Sequence, residues 1–345
     1  MRPLRVVLVL FAVLSVALTG VAAATGLPSW RLTPTGVQAQ LRGLSAVSAR
    51  VAWASGTEGT VLRTVDGGRS WASVGPPSTG ELEFRDIEAF GAGRAVVLSI
   101  GPGGDSRIYR TDDAGAHWRQ TFTNPDPAAF YDCLAFFDPW RGLAMSDPVD
   151  GRFRMQTTSD GGRSWRQLPG SAFPPALPAE AGFAASGQCV STSGPFDAWL
   201  ATGGGVRARV LHSGDGGRHW IAADTPLPSS ASAGVFAVAF RTPRQGVAIG
   251  GDYATPDAPG PAVALSGDRG RSWHTPPRYP AGYRSGLAWR GGTVFAVGPG
   301  GSDFSRDGGR SWTQFDSGSF DTVDCTGTGA CWASGVDGRL ARLAF

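Results

Sequence analysis

The chain has 345 residues, a formal net charge of +3, and 31 basic residues that are all Arg. Without Lys it can build neither a Walker-type phosphate loop nor a Schiff base. Its 51 Gly and low charged fraction of 17% suit many tight turns rather than helices, and so small a net charge leaves no nucleic-acid footprint.

Residues 1–24 read as a cleavable export signal. MRPLR supplies the positive start, the run from Val6 to Val21 is apolar, and Ala22-Ala23-Ala24 forms a small-residue cleavage site. A retained anchor is the alternative, because the run is near the lower length limit for a span. No Cys follows it, which argues against a lipoprotein. The expected product is periplasmic or secreted, with residues 25–345 as one domain and a net charge of about +1 once the two leader Arg are gone.

Six copies of one motif then recur: TVDGGRSW, TDDAGAHW, TSDGGRSW, SGDGGRHW, SGDRGRSW and SRDGGRSW. The shared pattern is S/T-x-D-x-G-x-x-W. Its aspartates are Asp66, Asp113, Asp160, Asp215, Asp268 and Asp307, at steps of 47, 47, 55, 53 and 39 residues. Its tryptophans are Trp71, Trp118, Trp165, Trp220, Trp273 and Trp312. A period of that size means one supersecondary unit per repeat, stacked on its neighbours. Stacking also explains how about 320 residues hold together when a single core rarely grows so large.

Each repeat shows an apolar strand, a second strand bounded by Gly, a third ending in the motif, and a fourth beginning at its Trp. Blade 1 reads LRGLSAV, VAWASG, TVLRTVDGG and RSWASVG, with the alternation of half-buried strands. Later blades open on EFRDIEAF, FYDCLAFF, VFAVAF and YRSGLAW; blade 4 is less regular around residues 182–193. The motif chemistry is structural: the carboxylate accepts backbone N–H groups of its turn, the glycines permit positive φ, and the Trp packs on a neighbouring blade. A seventh blade is split. FDTVDC, CWASG and DGRLARLAF give three strands at the C-terminus, and SWRLTPTG echoes RSWTQFDSG, so residues 30–35 should supply the missing outer strand. The fold expected is an all-β, seven-bladed β-propeller closed by its N-terminal strand, which removes an exposed edge.

The six motifs resemble the Asp-box, or BNR repeat, of propellers such as sialidases. Seven blades, Asp-boxes and a leader together resemble the photosystem II stability/assembly factor family over essentially the whole mature chain. FYDCLAFFDPWRGLAMSDP and GFAASGQC are similar to its bacterial, non-photosynthetic branch. The resemblance implies a non-enzymatic propeller that binds a membrane-protein client, and places the Asp-box turns opposite the usual binding face.

The starts of the inner strands ring one mouth of the central channel. They carry Arg42, Arg85, Asp86, Tyr131, Asp132, Arg284 and Asp321, the candidate ligand-binding residues. Arg holds carboxylates through two parallel hydrogen bonds, so such a mouth suits an acidic peptide or a C-terminal carboxylate. The bland alternative is a solvated rim whose charges pair with one another. Loops at residues 101–106, 147–152, 203–207 and 250–261 open on the same face.

Other chemistries find little support. His117, His212, His219 and His274 all map to the turn face, as exposed turn histidines, so no triad or metal site is expected at the mouth. GPGGDS and GPGGSD are loop glycines, and with no dinucleotide fingerprint an oxidoreductase would lack its cofactor; no cofactor is expected. The competing reading is a sialidase-like glycoside hydrolase. Arg42, Arg85 and Arg284 would grip a sugar carboxylate beside Tyr283 or Tyr131, or the pairs Asp86/Asp132 and Asp147/Asp150 would act as acid and base. The Arg-Ile-Pro signature of sialidases is absent and only five Glu occur. Four Cys in an exported protein imply disulfides. Cys325 and Cys331 flank a hairpin loop; Cys133 and Cys189 lie on consecutive blades and either bridge them or stay buried thiols. The working expectation is a monomeric binding propeller with a protein or peptide client.

Overall fold

The computed structural model describes residues 26–345, so the leader lies outside the described residues. It is a seven-bladed β-propeller of antiparallel sheets. Blade 1 runs outward through Leu41–Ala46, Ala52–Gly56, Val61–Thr64 and Ala72–Ser73, and blades 2, 3, 4 and 6 repeat that meander. Blade 7 comprises Thr322–Cys325, Cys331–Ser334 and Leu340–Ala344, with Ser29–Thr33 as its outer strand. The closing register runs from Ser29 opposite Ala344 to Thr33 opposite Leu340. Trp30 anchors this strand: its ring lies 5.5 Å from Phe320 and its Nε1 donates to Ser302 Oγ of blade 6 at 2.9 Å.

Blade 5 departs from the expected four strands. It has three, Ala233–Thr242, Gln245–Asp252 and Val263–Ser266. Only Leu265 and His274 pair beyond the turn. The segment after His274 carries Pro276 and Pro277, which lack the N–H that a ladder needs.

The middle strands of the blades lie deep. Ala52–Gly56 and Asp197–Ala201 are buried at every position, and Trp53, Trp199 and Trp332 are among the largest fully buried side chains. Each of these indoles donates to a carbonyl of the following blade: Trp53 to Gly91, Trp199 to Arg269, and Trp332 to Ser48. The apolar clusters therefore straddle the seams. One joins Leu41, Ala54 and Leu62 of blade 1 to Trp332 and Leu340 of blade 7.

The six aspartates act as expected within their turns. Asp66 Oδ1 accepts from Ser70 N at 3.1 Å, Oδ2 accepts from Ser70 Oγ at 2.6 Å, and Thr64 Oγ1 receives Gly68 N at 3.0 Å. His117 and His219 replace that Ser in two turns, their Nδ1 lying 2.6 Å from Asp113 and Asp215. The glycine two residues after each Asp sits at positive φ and presses on the preceding blade. A Cβ on Gly68 would stand 2.7 Å from Thr33, on Gly115 2.6 Å from Val74, on Gly217 2.8 Å from Leu143, and on Gly309 2.7 Å from Leu265. The motif Trp also faces backward: Trp71, Trp118 and Trp165 donate to Thr33, Val74 and Thr121 of the blade before.

Both disulfides form, Cys133–Cys189 between blades 3 and 4 and Cys325–Cys331 across the first hairpin of blade 7. Their sequence separations are 56 and 6 residues.

Three predictions follow from this packing. Gly216→Ala adds a methyl to open space at positive φ, whereas Gly217→Ala also drives it into Leu143. Urea unfolding should show a loss of about 1–2 kcal/mol for the first and about 1–3 kcal/mol more for the second; equal losses would refute the seam contact. Deleting residues 29–36 uncovers the edge at Leu340–Ala344 and should cost several kcal/mol or cause aggregation. Unchanged melting and unchanged elution would count against closure by this strand. By loop-closure entropy the Cys133→Ser/Cys189→Ser pair should destabilise by about 4 kcal/mol and Cys325→Ser/Cys331→Ser by about 2. The reverse order in equilibrium unfolding would show that chain entropy is not what these bridges supply.

Candidate functional site

A cavity of about 640 Å³ opens at the mouth of the channel. The starts of the inner strands surround it because every blade begins there, so residues remote in sequence share one rim. Arg42 of blade 1, Arg85 of blade 2, Asp132 of blade 3 and Asp321 of blade 7 all line it. Sequence reasoning missed its aromatic wall. Phe183 stacks on Phe236 at 4.2 Å, and Tyr283 meets Phe236 edge-on at 4.7 Å. Tyr253, from the loop at residues 250–261, completes this wall. A signal for it did exist: each aromatic lies in or beside a segment flagged as an inner-strand start or mouth loop.

The two arginines differ in how free they are. Among the described residues Arg42 Nε is buried with no hydrogen-bond partner, and its nearest carboxylate, Asp321, stands 4.0 Å away. Gln40 Nε2 takes that carboxylate at 3.1 Å. Burial, then the neighbouring Arg85 charge, holds the Arg42 guanidinium below its ordinary pKa. Arg85 is more occupied: Nε and Nη2 donate to Glu83 at 3.0 and 2.6 Å, and Nη1 donates to Ala184 O at 2.6 Å.

The remaining candidates point elsewhere. Arg284 is 1% exposed and paired with Asp303, Nε to Oδ2 at 2.8 Å, with Nη1 on Tyr283 O. It is an internal ion pair rather than a free grip on the mouth. Tyr131 is 1% exposed, packs on Phe122 and receives Gln156 Nε2 on its hydroxyl. Asp86 accepts Leu134 N of blade 3 at 2.6 Å and lines a second cavity, of about 310 Å³, with Glu88 and Asp324. It therefore forms no acid–base pair with Asp132 across the mouth. Asp150 sits exposed at a hairpin tip, while Asp147 lines the mouth. Of the histidines, His212 departs from the expected exposed turn residue: it is buried against Trp199, with Nε2 2.8 Å from Asp197.

What separates the two cavities is the irregular start of blade 4. Residues 184–188 cross the axis of the ring. Ala184 O receives Arg85 of blade 2, and Ser186 Oγ donates to Ser285 O of blade 6. Gln188 Nε2 donates to Leu287 O of blade 6 and Val323 O of blade 7, while its carbonyl accepts Val238 N of blade 5. Gly187 lies at φ +71, where a Cβ would stand 2.6 Å from the Asp86 carboxylate. The run Ala-Ala-Ser-Gly is small because backbone, not side chain, fills the axis. Cys189 follows at once and ties this plug to blade 3.

No family model matches the chain, and no curated protein matches it in sequence. Solved structures do. YCF48 bound to a D1 peptide aligns at 17% identity with a TM-score of 0.64, covering 92% of this chain and 97% of that one. YCF48 from Cyanidioschyzon merolae aligns at 17% identity and a TM-score of 0.61, covering 91% and 98%. The GH74 enzyme of Niastella koreensis aligns at 14% identity and a TM-score of 0.60, covering 90% of this chain and 53% of the enzyme. At such identities the likeness establishes the seven-bladed propeller, and function has to be argued from the site.

Proposed function

We propose that this protein is an exported, non-enzymatic binding propeller that holds an acidic segment or C-terminal carboxylate of a client, a membrane protein included, at its mouth. The observation that carries this reading is Arg42: a buried guanidinium nitrogen without a partner, lining a large, part-aromatic cavity. An unpaired buried donor is costly, and a ligand carboxylate would satisfy it by charge-assisted hydrogen bonds. Arg85 adds field from the adjacent blade. The likeness to YCF48, solved with a bound peptide, supports a peptide as the class of ligand. The six Asp turns support reading the chain as an Asp-box propeller, and the stretches FYDCLAFFDPWRGLAMSDP and GFAASGQC support the bacterial, non-photosynthetic branch of the assembly-factor family. The apolar run of residues 6–21 and the two disulfides support export to the periplasm or beyond. Among the described residues no helix is long and apolar enough to cross a membrane. The propeller closes on itself, so it is read as a monomer.

The test is affinity for an acetylated acidic peptide with a free C-terminus, beside its C-terminal amide. Arg42→Ala should weaken binding of the free acid by about 2–5 kcal/mol, as expected for loss of a desolvated charge pair, and leave the melting temperature nearly unchanged. Arg284→Ala should instead lower stability, because it strands buried Asp303. Equal binding by wild type and Arg42→Ala would sink the reading. Turnover in a panel of chromogenic glycosides would replace it with the hydrolase alternative.

A further inference from the structure

The mouth is not uniformly basic. Around the ring it carries Arg42 and Arg85 in blades 1 and 2, a carboxylate pair in blade 3, aromatic side chains in blades 4 to 6, and Asp321 in blade 7. The pair is Asp132, from the inner strand, and Asp147, from the end of the neighbouring strand. Asp132 is 2% exposed and lines the cavity, and among the described residues its Oδ2 has no hydrogen-bond donor. Asp147 accepts Gly182 N at 2.7 Å. Arg85 is the cation facing Asp132, but its Nε and Nη2 are held by Glu83 and its Nη1 by Ala184 O. Two adjacent carboxylates therefore meet an open cavity without a positive partner of their own.

Beside them stands the aromatic wall of Phe183, Phe236, Tyr253 and Tyr283, with Phe130 on the blade 3 side. A carboxylate floor with aromatic faces is the chemistry that receives an ammonium group. The aromatic faces attract the cation and shelter its alkyl stem, and the carboxylates take its N–H donors. A bare carboxylate ligand would be repelled here, so this corner complements the Arg42 side of the cavity rather than duplicating it.

We propose that the Asp132–Asp147 corner is a binding site for a primary alkylammonium group, a lysine side chain or free amino terminus carried by the same ligand whose carboxylate meets Arg42. In its second half this rests on the peptide-binding reading above. Without ligand the pair avoids two adjacent buried charges by sharing a proton. Burial pushes Asp147 up to about 6, against the hydrogen bonds from Gly182 N–H and Asp132 that favour its charge, and burial together with the neighbouring Asp147 raises Asp132 well above the ordinary carboxylate range. The other charged or titratable groups at the cavity are Arg85 beside Asp132 and, across it, Arg42, Asp321, Tyr253 and Tyr283. The sign follows from carboxylates whose folded pKa is raised. The pair favours the fold when protonated and costs stability as pH rises and it ionises, so an ammonium ligand binds with release of the shared proton and more tightly as pH rises.

Pentylammonium is the probe, followed by calorimetry at about pH 8 and about pH 5, on either side of the Asp147 value of about 6. Wild type should bind it at the higher pH, about tenfold more weakly at the lower, with proton release when both pH values are compared in two buffers. Asp132→Asn should abolish binding while melting at an equal or higher temperature at about pH 8, because it removes a buried charge; Asp147→Asn is the second variant should the first fail to fold. No binding by wild type, undiminished binding by a folded variant, or no pH dependence would overturn the site. The acetylated acidic peptide tests the Arg42 reading alone. Wild type that binds this peptide but not pentylammonium refutes only the ammonium site, and the opposite pattern refutes only the carboxylate grip. Adding one Lys to the acetylated peptide, or leaving its amino terminus free, distinguishes the two sources; at least one should tighten binding through Asp132.

Discussion

Everything in this propeller depends on how closely each blade approaches the one before it. The contact that sets this distance is backbone against side chain: the glycine two residues after each Asp, held at positive φ, lies where a methyl would crowd the preceding blade. The Asp and the S/T two residues before it fix the turn in shape, so the glycine is delivered to the same place each time. The buried Trp53, Trp199 and Trp332 reach across their seams in the opposite direction. Each such seam is thus tied forward and backward, and blade 7 makes both ties to blade 1 through Thr33 and Trp332.

A ring built this way puts every inner-strand start on one circle, and the mouth inherits its chemistry from that geometry. Residues from Gln40 to Val336 converge there. Position on the circle does not by itself decide a residue's role. Arg42 and Arg284 both come from such starts, yet Asp303 on a neighbouring strand captures the second and leaves the first with an unpartnered nitrogen. The same logic divides the acids. Asp86 caps the backbone of the next blade, while Asp132, one blade on, lines the cavity and keeps an oxygen without a donor among the described residues.

The fold was legible because its period is carried by chemistry, not only by hydrophobicity. An Asp, a Gly and a Trp at fixed spacing recur six times, and the echo of SWRLTPTG in RSWTQFDSG located the closing strand to within two residues of Ser29–Thr33. Blade 5 escaped because Pro276 and Pro277 abolish a strand without disturbing the motif ahead of it. The site was legible in its rim and not in its interior. Strand starts can be read from pattern, whereas the capture of Arg284 by Asp303, the burial of Tyr131 and the aromatic wall depend on packing between blades. Residues 182–193 read only as irregular, since a run of small residues crossing an axis has no period to betray it.

That run makes the channel two chambers instead of a tube. Its backbone carbonyls, the Ser186 hydroxyl and the Gln188 side chain are engaged by blades 2, 5, 6 and 7, and a disulfide pins its end to blade 3, so it is as much a part of the wall as any strand. A polypeptide cannot be threaded through such a ring. The mouth is a blind cup, and whatever enters it must turn back or stop there, which favours the reading of a chain's end or of a single bent loop over the sliding of an extended segment.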